Sequence, residues 1–402
     1  MAGNVRKLLF RTMIDGVREK REEKRLGGMN VIHLVTNKVW GGGERYVLDL
    51  AKKSMESDIN VRILARPVKA VTDKFLEAGI ALDTARFGGI TDITTPRRLA
   101  AITDECALSG PVILHAHDFK TALTAIRAKR LSQVPGKVRI VVTRHLVRKA
   151  KTDLLHRFIY RNVDAIIFVS ECARNAFFSG FIGEKHSKSR HEAEERSQVI
   201  HNSIANVPRR PAFSSGNENE PHRPPVLCFV GRIVPEKGVE LLLKALGGLR
   251  SEEWVLKVGG TGNPEYLDLL KSQASELGIS DKVEWLGYQE DIWQVMGSAD
   301  IGVIPSVVPE SFGLTILEFM NMGVPVVSTS GGAQGEIIRN GRDGILVEPE
   351  ESALRGALAE LIASPAKRRD MGKAALERAA DFSYDVFWER ISGVYKALVS
   401  TL

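Results

Sequence analysis

The chain has 402 residues, 44% of them hydrophobic, enough to bury two cores. Its net charge of +7 is uneven: residues 1–28 hold eight Lys or Arg against four acids and carry +4 of it, so the rest is only mildly basic and nucleic acid is not expected as a partner. Cys106, Cys172 and Cys228 are far apart and odd in number, which argues against a disulfide framework and for a reducing compartment. No apolar run reaches the roughly 18 residues of a membrane span, and the N-terminus lacks the continuous apolar core of a signal peptide.

In the leader, 1–28, Leu9, Met13 and Val17 recur at helical spacing beside Phe10 and Ile14. That is the pattern of a basic amphipathic helix, which either rests on an anionic membrane surface or packs as an ordinary solvated helix. Val31–Thr36 reads as a buried strand. It runs into Gly41-Gly42-Gly43-Glu44 and a helix over Arg45–Ser54. Strand, glycine loop and helix in that order present backbone N–H groups to a phosphate. The spacing is not Gly-x-Gly-x-x-Gly, which argues against a dehydrogenase.

Alternation continues with a strand at Val61–Ala65, helices at Val71–Glu77 and Thr95–Leu108, and a strand at Val112–Leu114 ending in His115-Ala116-His117-Asp118. Val138–Thr143 is a strand ending at Arg144-His145. Ala165–Val169 is another, ending at Ser170-Glu171 with a helix from Cys172. Strands alternating with helices predict a parallel sheet with right-handed crossovers, and such sheets bind ligands beyond the carboxyl ends of their strands. Gly41–Gly43, His117, His145 and Ser170 all fall there. Two histidines without a further ligand at metal spacing make a poor zinc site, so no metal is expected. His117, farther out than His115, is the better candidate for a ligand contact. Residues 183–197 are charged and read as an exposed helix or loop, and Val199–Ile204 as a strand end. Residues 206–225, rich in Pro, Ser and Asn, read as a linker.

A second α/β unit follows, with strands at Val226–Val230, Val255–Gly259, Val283–Leu286, Ile301–Ile304 and from Val326. The loop after the first carries Arg232 and Lys237 with Gly231 and Gly238. Two cations and two glycines suit a diphosphate, although a surface salt bridge fits the spacing equally well. Ser306–Thr329 places Glu310 on a loop, opens a helix near Phe312 and carries Glu318 one turn beyond Leu314. The backbone of Gly313, Leu314 and Thr315 forms the first turn, where unpaired N–H groups receive an anion. Residues 351–380 are helical, and Tyr384–Leu398 is a final amphipathic helix.

In this order the motifs resemble the retaining glycosyltransferases of family 4. They are Gly42-Gly43-Glu44-Arg45, His115-Ala116-His117-Asp118, Gly231-Arg232 with Lys237-Gly238, and Glu310-Ser311-Phe312-Gly313 with Glu318 eight residues on. The resemblance covers roughly residues 29–400. It implies an α/β architecture of two Rossmann-like domains facing a central cleft (GT-B). The domains would be an N-terminal acceptor domain over 29–205, completed by the helix at 384–402, the linker 206–225, and a donor domain over 226–383. It implies transfer of a hexosyl group, with retention, from a nucleotide-diphosphate sugar to a glycan or lipid-linked acceptor in cell-envelope polysaccharide or lipopolysaccharide synthesis. The work would be done in the cytoplasm at the inner face of the membrane.

The same resemblance gives catalytic roles to Glu310, His117, Arg232 and Lys237. Arg232 and Lys237 would neutralise the leaving diphosphate, and Gly42, Gly43, Gly313, Leu314 and Thr315 would cradle it. Glu318 would hold the ribose, Tyr288 the base, Glu310 the sugar hydroxyls, and His117 would sit near the sugar's C6 or the reacting centre. No Asp-x-Asp pair is present, and neither metal nor cofactor is expected. His145, Arg144 and Arg148 are candidates on the acceptor side, with a solvated charged face as the alternative. A nucleotide-sugar epimerase on the same fold and a non-catalytic nucleotide-sugar scaffold are the competing functions. Two departures from the family pattern stand out: Asn202-Ser203-Ile204-Ala205 where Asn-Gly-x-Asp is common, and Gly331-Gly332-Ala333-Gln334-Gly335-Glu336.

Overall fold

The computed structural model describes residues 28–183, 186–208 and 223–402. Nearly all of the leader and most of the linker lie outside them. The chain forms two compact units, one over Met1–His201 together with Asp385–Leu402, the other over Asn202–Tyr384.

In unit 1 the elements follow as β1 (Asn30–Val35), α1 (Gly42–Glu56), β2 (Asn60–Ala65), α2 (Lys69–Glu77), β3 (Ala81–Thr84), α3 (Thr94–Cys106), β4 (Val112–Ala116), α4 (Phe119–Leu131), β5 (Val138–Arg144), α5 (Leu154–Asn162), β6 (Ala165–Phe168), α6 (Glu171–Phe178), α7 (Ser187–Glu194) and β7 (Ser197–Val199). The strands pair in parallel in the order β3-β2-β1-β4-β5-β6-β7. Every residue of β1, β4 and β6 is buried, as expected of central strands covered on both faces. The order reverses between β1 and β4. Neighbouring crossovers leave opposite faces there and open a crevice at the carboxyl ends.

Unit 2 repeats the plan with β8 (Val226–Val230), α8 (Val239–Gly247), β9 (Val255–Gly259), α9 (Pro264–Glu276), β10 (Val283–Gly287), α10 (Ile292–Gly297), β11 (Ile301–Ile304), α11 (Leu314–Asn321), β12 (Val326–Thr329), α12 (Gln334–Ile337), β13 (Gly344–Val347), α13 (Glu351–Ala363) and α14 (Pro365–Ala379). Its strand order is β10-β9-β8-β11-β12-β13, all parallel, with the reversal between β8 and β11. The last helix, α15 (Tyr384–Val399), packs its aromatic face on unit 1: Phe387 meets Tyr46 at 5.5 Å between ring centroids, and the Tyr395 hydroxyl reaches His115.

Three departures from the sequence reading have local causes. The strand expected over Val199–Ile204 is instead Ser197–Val199, an edge strand paired to β6. One face of an edge strand is wet, so it needs no apolar run, and Ser197–Gln198 was hidden in the charged stretch. α11 opens at Leu314 rather than Phe312, because Gly313 takes φ 103°, a left-handed value that cannot belong to the helix. Apolar runs alone also pass over β3, α4, α5, α9 and β13.

Gly238 shows why glycine is required at one turn. Its φ is 71°, and a Cβ there would lie 1.9 Å from the carbonyl oxygen of Pro305. Gly356, on the exposed face of α13, has open space around it. Gly238→Ala is therefore expected to destabilise the protein by about 2 kcal/mol or more through backbone strain and the clash. Gly356→Ala should stabilise it by roughly 0.5–1 kcal/mol. Urea midpoints measured on the two variants check the opposite signs.

Candidate active site

In unit 2 three loops converge at the carboxyl ends of β8, β11 and β12. The loop after β8 closes in a 3-10 turn, Pro235–Lys237, capped by Gly238. It is pinned to the loop after β11 by the Val307 N–H donating to the Glu236 carbonyl at 3.0 Å. The loop after β12 lies flat against Glu310: the Ala333 N–H donates to the Glu310 carbonyl at 2.9 Å, and a Cβ on Gly332 would fall 2.3 Å from the Glu310 nitrogen.

These contacts set the Lys237 ammonium 2.6 Å from Oε1 of Glu310, an ion pair with side chains 29% and 15% exposed. The Ser306 hydroxyl donates to the same oxygen. Gly313 then turns the chain into α11, so the N–H groups of Leu314 and Thr315 occupy its first turn, where helices have no internal acceptor for them. Glu318 is half-buried one turn further on. Arg232 is exposed and makes no ion pair with any described residue. Tyr288 follows β10 with 74% of its surface open. A cation, a second exposed cation and a helix N-terminus at a sheet's reversal point have the chemistry to receive an anion, and the carboxylates of Glu310 and Glu318 that to accept from hydroxyls.

In unit 1 the reversal point is lined with imidazoles. His33 on β1 registers beside His115 on β4. Side chains alternate along a strand, so His117 shares the face of His115, and Thr143 and His145 share it from β5. His33 was absent from the sequence-based candidates. It lies in the apolar run VIHLVT, and its only signal was a polar residue inside a strand buried on both faces.

His115 is structural: its Nδ1 is 2.6 Å from the Tyr395 hydroxyl and its Nε2 2.7 Å from the Thr143 hydroxyl. His117 has both nitrogens engaged, Nε2 at 3.2 Å from Nδ1 of His33 and Nδ1 at 3.4 Å from Nε2 of His145. His117 therefore has no nitrogen free for a ligand in this arrangement, and the outer end of the chain is Nδ1 of His145. Tyr46 of α1 packs edge-on to both outer rings, with centroids at 5.8 and 4.8 Å.

Two further sequence expectations change. The glycine loop after β1 already holds an acid. The buried Glu44 carboxylate accepts from the Asn37 amide, and its other oxygen lies beside Gly41. Burial raises its pKa, and hydrogen bonding partly offsets the rise. A phosphate at Gly42 and Gly43 would meet that carboxylate. Arg144 turns inward, its guanidinium 5.3 and 5.2 Å from the rings of Phe119 and Phe177, and donates to the Arg148 carbonyl at 2.8 Å. Burial lowers its pKa. That orientation takes Arg144 out of the solvent-facing basic set, whereas Arg148 remains exposed.

A family model described as "Glycosyl transferases group 1" matches residues 212–378, and one described as "Glycosyltransferase Family 4" matches residues 40–185. The chain belongs to the family 4 glycosyltransferases. A D-inositol 3-phosphate glycosyltransferase of Nocardioides sp. is 27% identical over 395 residues, covering 89% of this chain and 85% of the relative. A phosphatidyl-myo-inositol mannosyltransferase of Mycobacterium leprae is 26% identical over 375 residues, covering 90% and 94%. Among solved structures, a glycosyltransferase of Rickettsia africae superposes with a TM-score of 0.75 at 19% identity, covering 92% of this chain and 98% of that one. Anabaena HepE, solved with UDP and glucose, gives 0.73 at 20%, covering 91% and 99%. The fold is GT-B.

Burial disfavours the charged form of the four imidazoles clustered at the reversal point of unit 1. Burial lowers His33 to about 3 and His145 to about 4, and holds His115 and His117 well below 6.5. A histidine that resists protonation when folded is protonated first in the unfolded chain, so stability rises with pH wherever the unfolded state binds more protons. The contribution of these rings is intact above about pH 6.5 and is lost as pH falls through the folded values. The urea midpoint is expected to fall between about pH 7 and about pH 4.5, with a shallower fall in His145→Gln. Comparison with that variant separates the histidine contribution from that of Glu44, whose raised pKa acts in the opposite sense.

Proposed function

We propose that the enzyme transfers a glycosyl group, with retention, from a nucleotide-diphosphate sugar to a hydroxyl of a phosphorylated or lipid-linked acceptor in envelope glycan synthesis. The observation that carries this reading is the convergence of Lys237, Glu310 and the N-terminus of α11 on one point of unit 2. Lys237 and Arg232 would balance the diphosphate. The N–H groups of Leu314 and Thr315 would bond its oxygens, Glu318 would accept from the ribose and Glu310 from the sugar. As a partly exposed pair, Lys237 and Glu310 hold each other by on the order of 1 kcal/mol, little enough for a diphosphate to take the ammonium.

In front-face transfer the acceptor oxygen bonds to the anomeric carbon on the side from which the phosphate oxygen leaves. The acceptor's proton passes to that departing oxygen. The protein's part is to stabilise the charge that develops on the diphosphate. No step in this scheme needs a metal ion. UDP is the first nucleotide to try, since HepE was solved with it. The inositol-phosphate and phosphatidyl-inositol relatives favour an acceptor that carries phosphate. Unit 1 is the proposed acceptor side, with His145 and Arg148 at the ends of its strands and loops.

Melting temperatures with UDP, GDP, ADP and their sugars, with and without chelator, test the donor site. One diphosphate should stabilise the wild type irrespective of chelator. Lys237→Ala should lose most of that shift and lower kcat/KM about 10- to 100-fold, the range for a lost hydrogen bond to a charged group. Absence of both shift and turnover with every nucleotide sugar would overturn the reading. The anomeric configuration of the product, read by proton NMR, tests retention separately.

A further inference from the structure

We propose that His33 is a positioning residue that acts through His117 to hold the proton of His145 on Nδ1. The outer end of the imidazole chain would then be an uncharged hydrogen-bond donor, suited to an oxygen of a ligand hydroxyl. The ligand's class rests on the transferase reading above; the proton arrangement does not.

The geometry fixes the choice to two states. A neutral imidazole carries one N–H and one bare nitrogen. His117 lies between Nδ1 of His33 and Nε2 of His145, so if it accepts from one it must donate to the other. The protons of the three rings therefore run together, outward or inward.

The inner end decides the direction. Nε2 of His33 is buried and has no hydrogen-bond partner among the described residues. With the protons inward, that atom would carry an N–H and leave a buried donor unmet. Orphaned buried N–H groups are rare in folded proteins, rarer than unmet acceptors, and leaving one costs about 1–3 kcal/mol. With the protons outward, His33 donates from Nδ1 to His117, His117 donates from Nδ1 to His145, and His145 keeps its own proton on Nδ1. That nitrogen bonds no described residue. Free histidine prefers its proton on Nε2, so the chain imposes on His145 the less favoured tautomer.

A transition ion is the competing use of these rings, because ligand atoms of His33, His115 and His117 lie within 4.8 Å of one another. His115, however, has both nitrogens committed to Tyr395 and Thr143. Two imidazoles remain, fewer than the three or four protein ligands that zinc takes.

The test is long-range proton–nitrogen NMR of the histidine rings in uniformly nitrogen-labelled full-length protein at neutral pH with chelator, with His145 assigned from its absence in His145→Gln. In the wild type, Nδ1 of His145 should resonate as protonated and Nε2 as bare. His33→Phe removes the inner donor and should return His145 to the Nε2–H form. His33→Gln, whose amide can donate to His117, should restore Nδ1–H. Unchanged His115 signals show that each variant is folded. A wild-type His145 protonated on Nε2, or one that stays protonated on Nδ1 in folded His33→Phe, would overturn the proposal. Turnover is read in parallel: kcat should drop about tenfold in His33→Phe, the loss of one ordinary hydrogen bond, and recover in His33→Gln. The tautomer signals stand whether or not a nucleotide sugar is turned over, so failure of the functional reading is distinguishable from failure of this one.

Discussion

The contact on which the candidate site of unit 2 depends is the approach of the Lys237 turn to the Glu310 loop. Gly238 has no side chain, so the Pro305 carbonyl lies against it, and the Val307 N–H ties the two loops together. This backbone fit, rather than charge attraction, brings an ammonium to 2.6 Å from a carboxylate at the reversal point of the sheet. The ion pair is a consequence of the packing and is weak on its own account. That order of cause suits a binding site: the scaffold holds the groups in place, and the charges are left able to exchange partners.

Unit 1 solves the same placement problem with different chemistry. At its reversal point the residues are rings whose charged form burial disfavours, with His115 anchored by Tyr395 and Thr143 and His33, His117 and His145 lined up in a hydrogen-bonded chain beside it. Tyr395 belongs to α15, so the far C-terminus of the chain takes part in ordering the histidines of β4. An ion-paired ammonium beside a helix N-terminus in one unit and uncharged rings in the other suit the proposed division between a diphosphate donor and a hydroxyl acceptor.

The α/β plan was legible because parallel strands buried on both faces leave unbroken apolar runs, and because Gly, His and acidic residues cluster just after them. The placement of Lys237, Glu310 and Gly313 was legible for the same reason: they lie on short loops that follow strand ends. The imidazole chain was not. His33 and His115 meet through strand register, and nothing in the local sequence states which residues pair across a sheet. His117 looked like the terminal group because it follows His115, yet His145, from the next strand, continues the hydrogen-bonded chain past it. Side-chain direction was also hidden. A cation after a strand can face water, as Arg148 does, or fold back on aromatic rings, as Arg144 does. An acid after a glycine loop can fold back beside that loop, as Glu44 does with Asn37 and Gly41.

The most direct measurement is a crystal structure of the protein with UDP bound. The diphosphate oxygens are expected within hydrogen-bond distance of the Leu314 and Thr315 N–H groups and of the Lys237 ammonium, with the ribose hydroxyls on Glu318. A diphosphate seated instead on the Gly41–Gly43 loop, with Glu44 displaced and Lys237 still paired to Glu310, would contradict the assignment of the donor to unit 2.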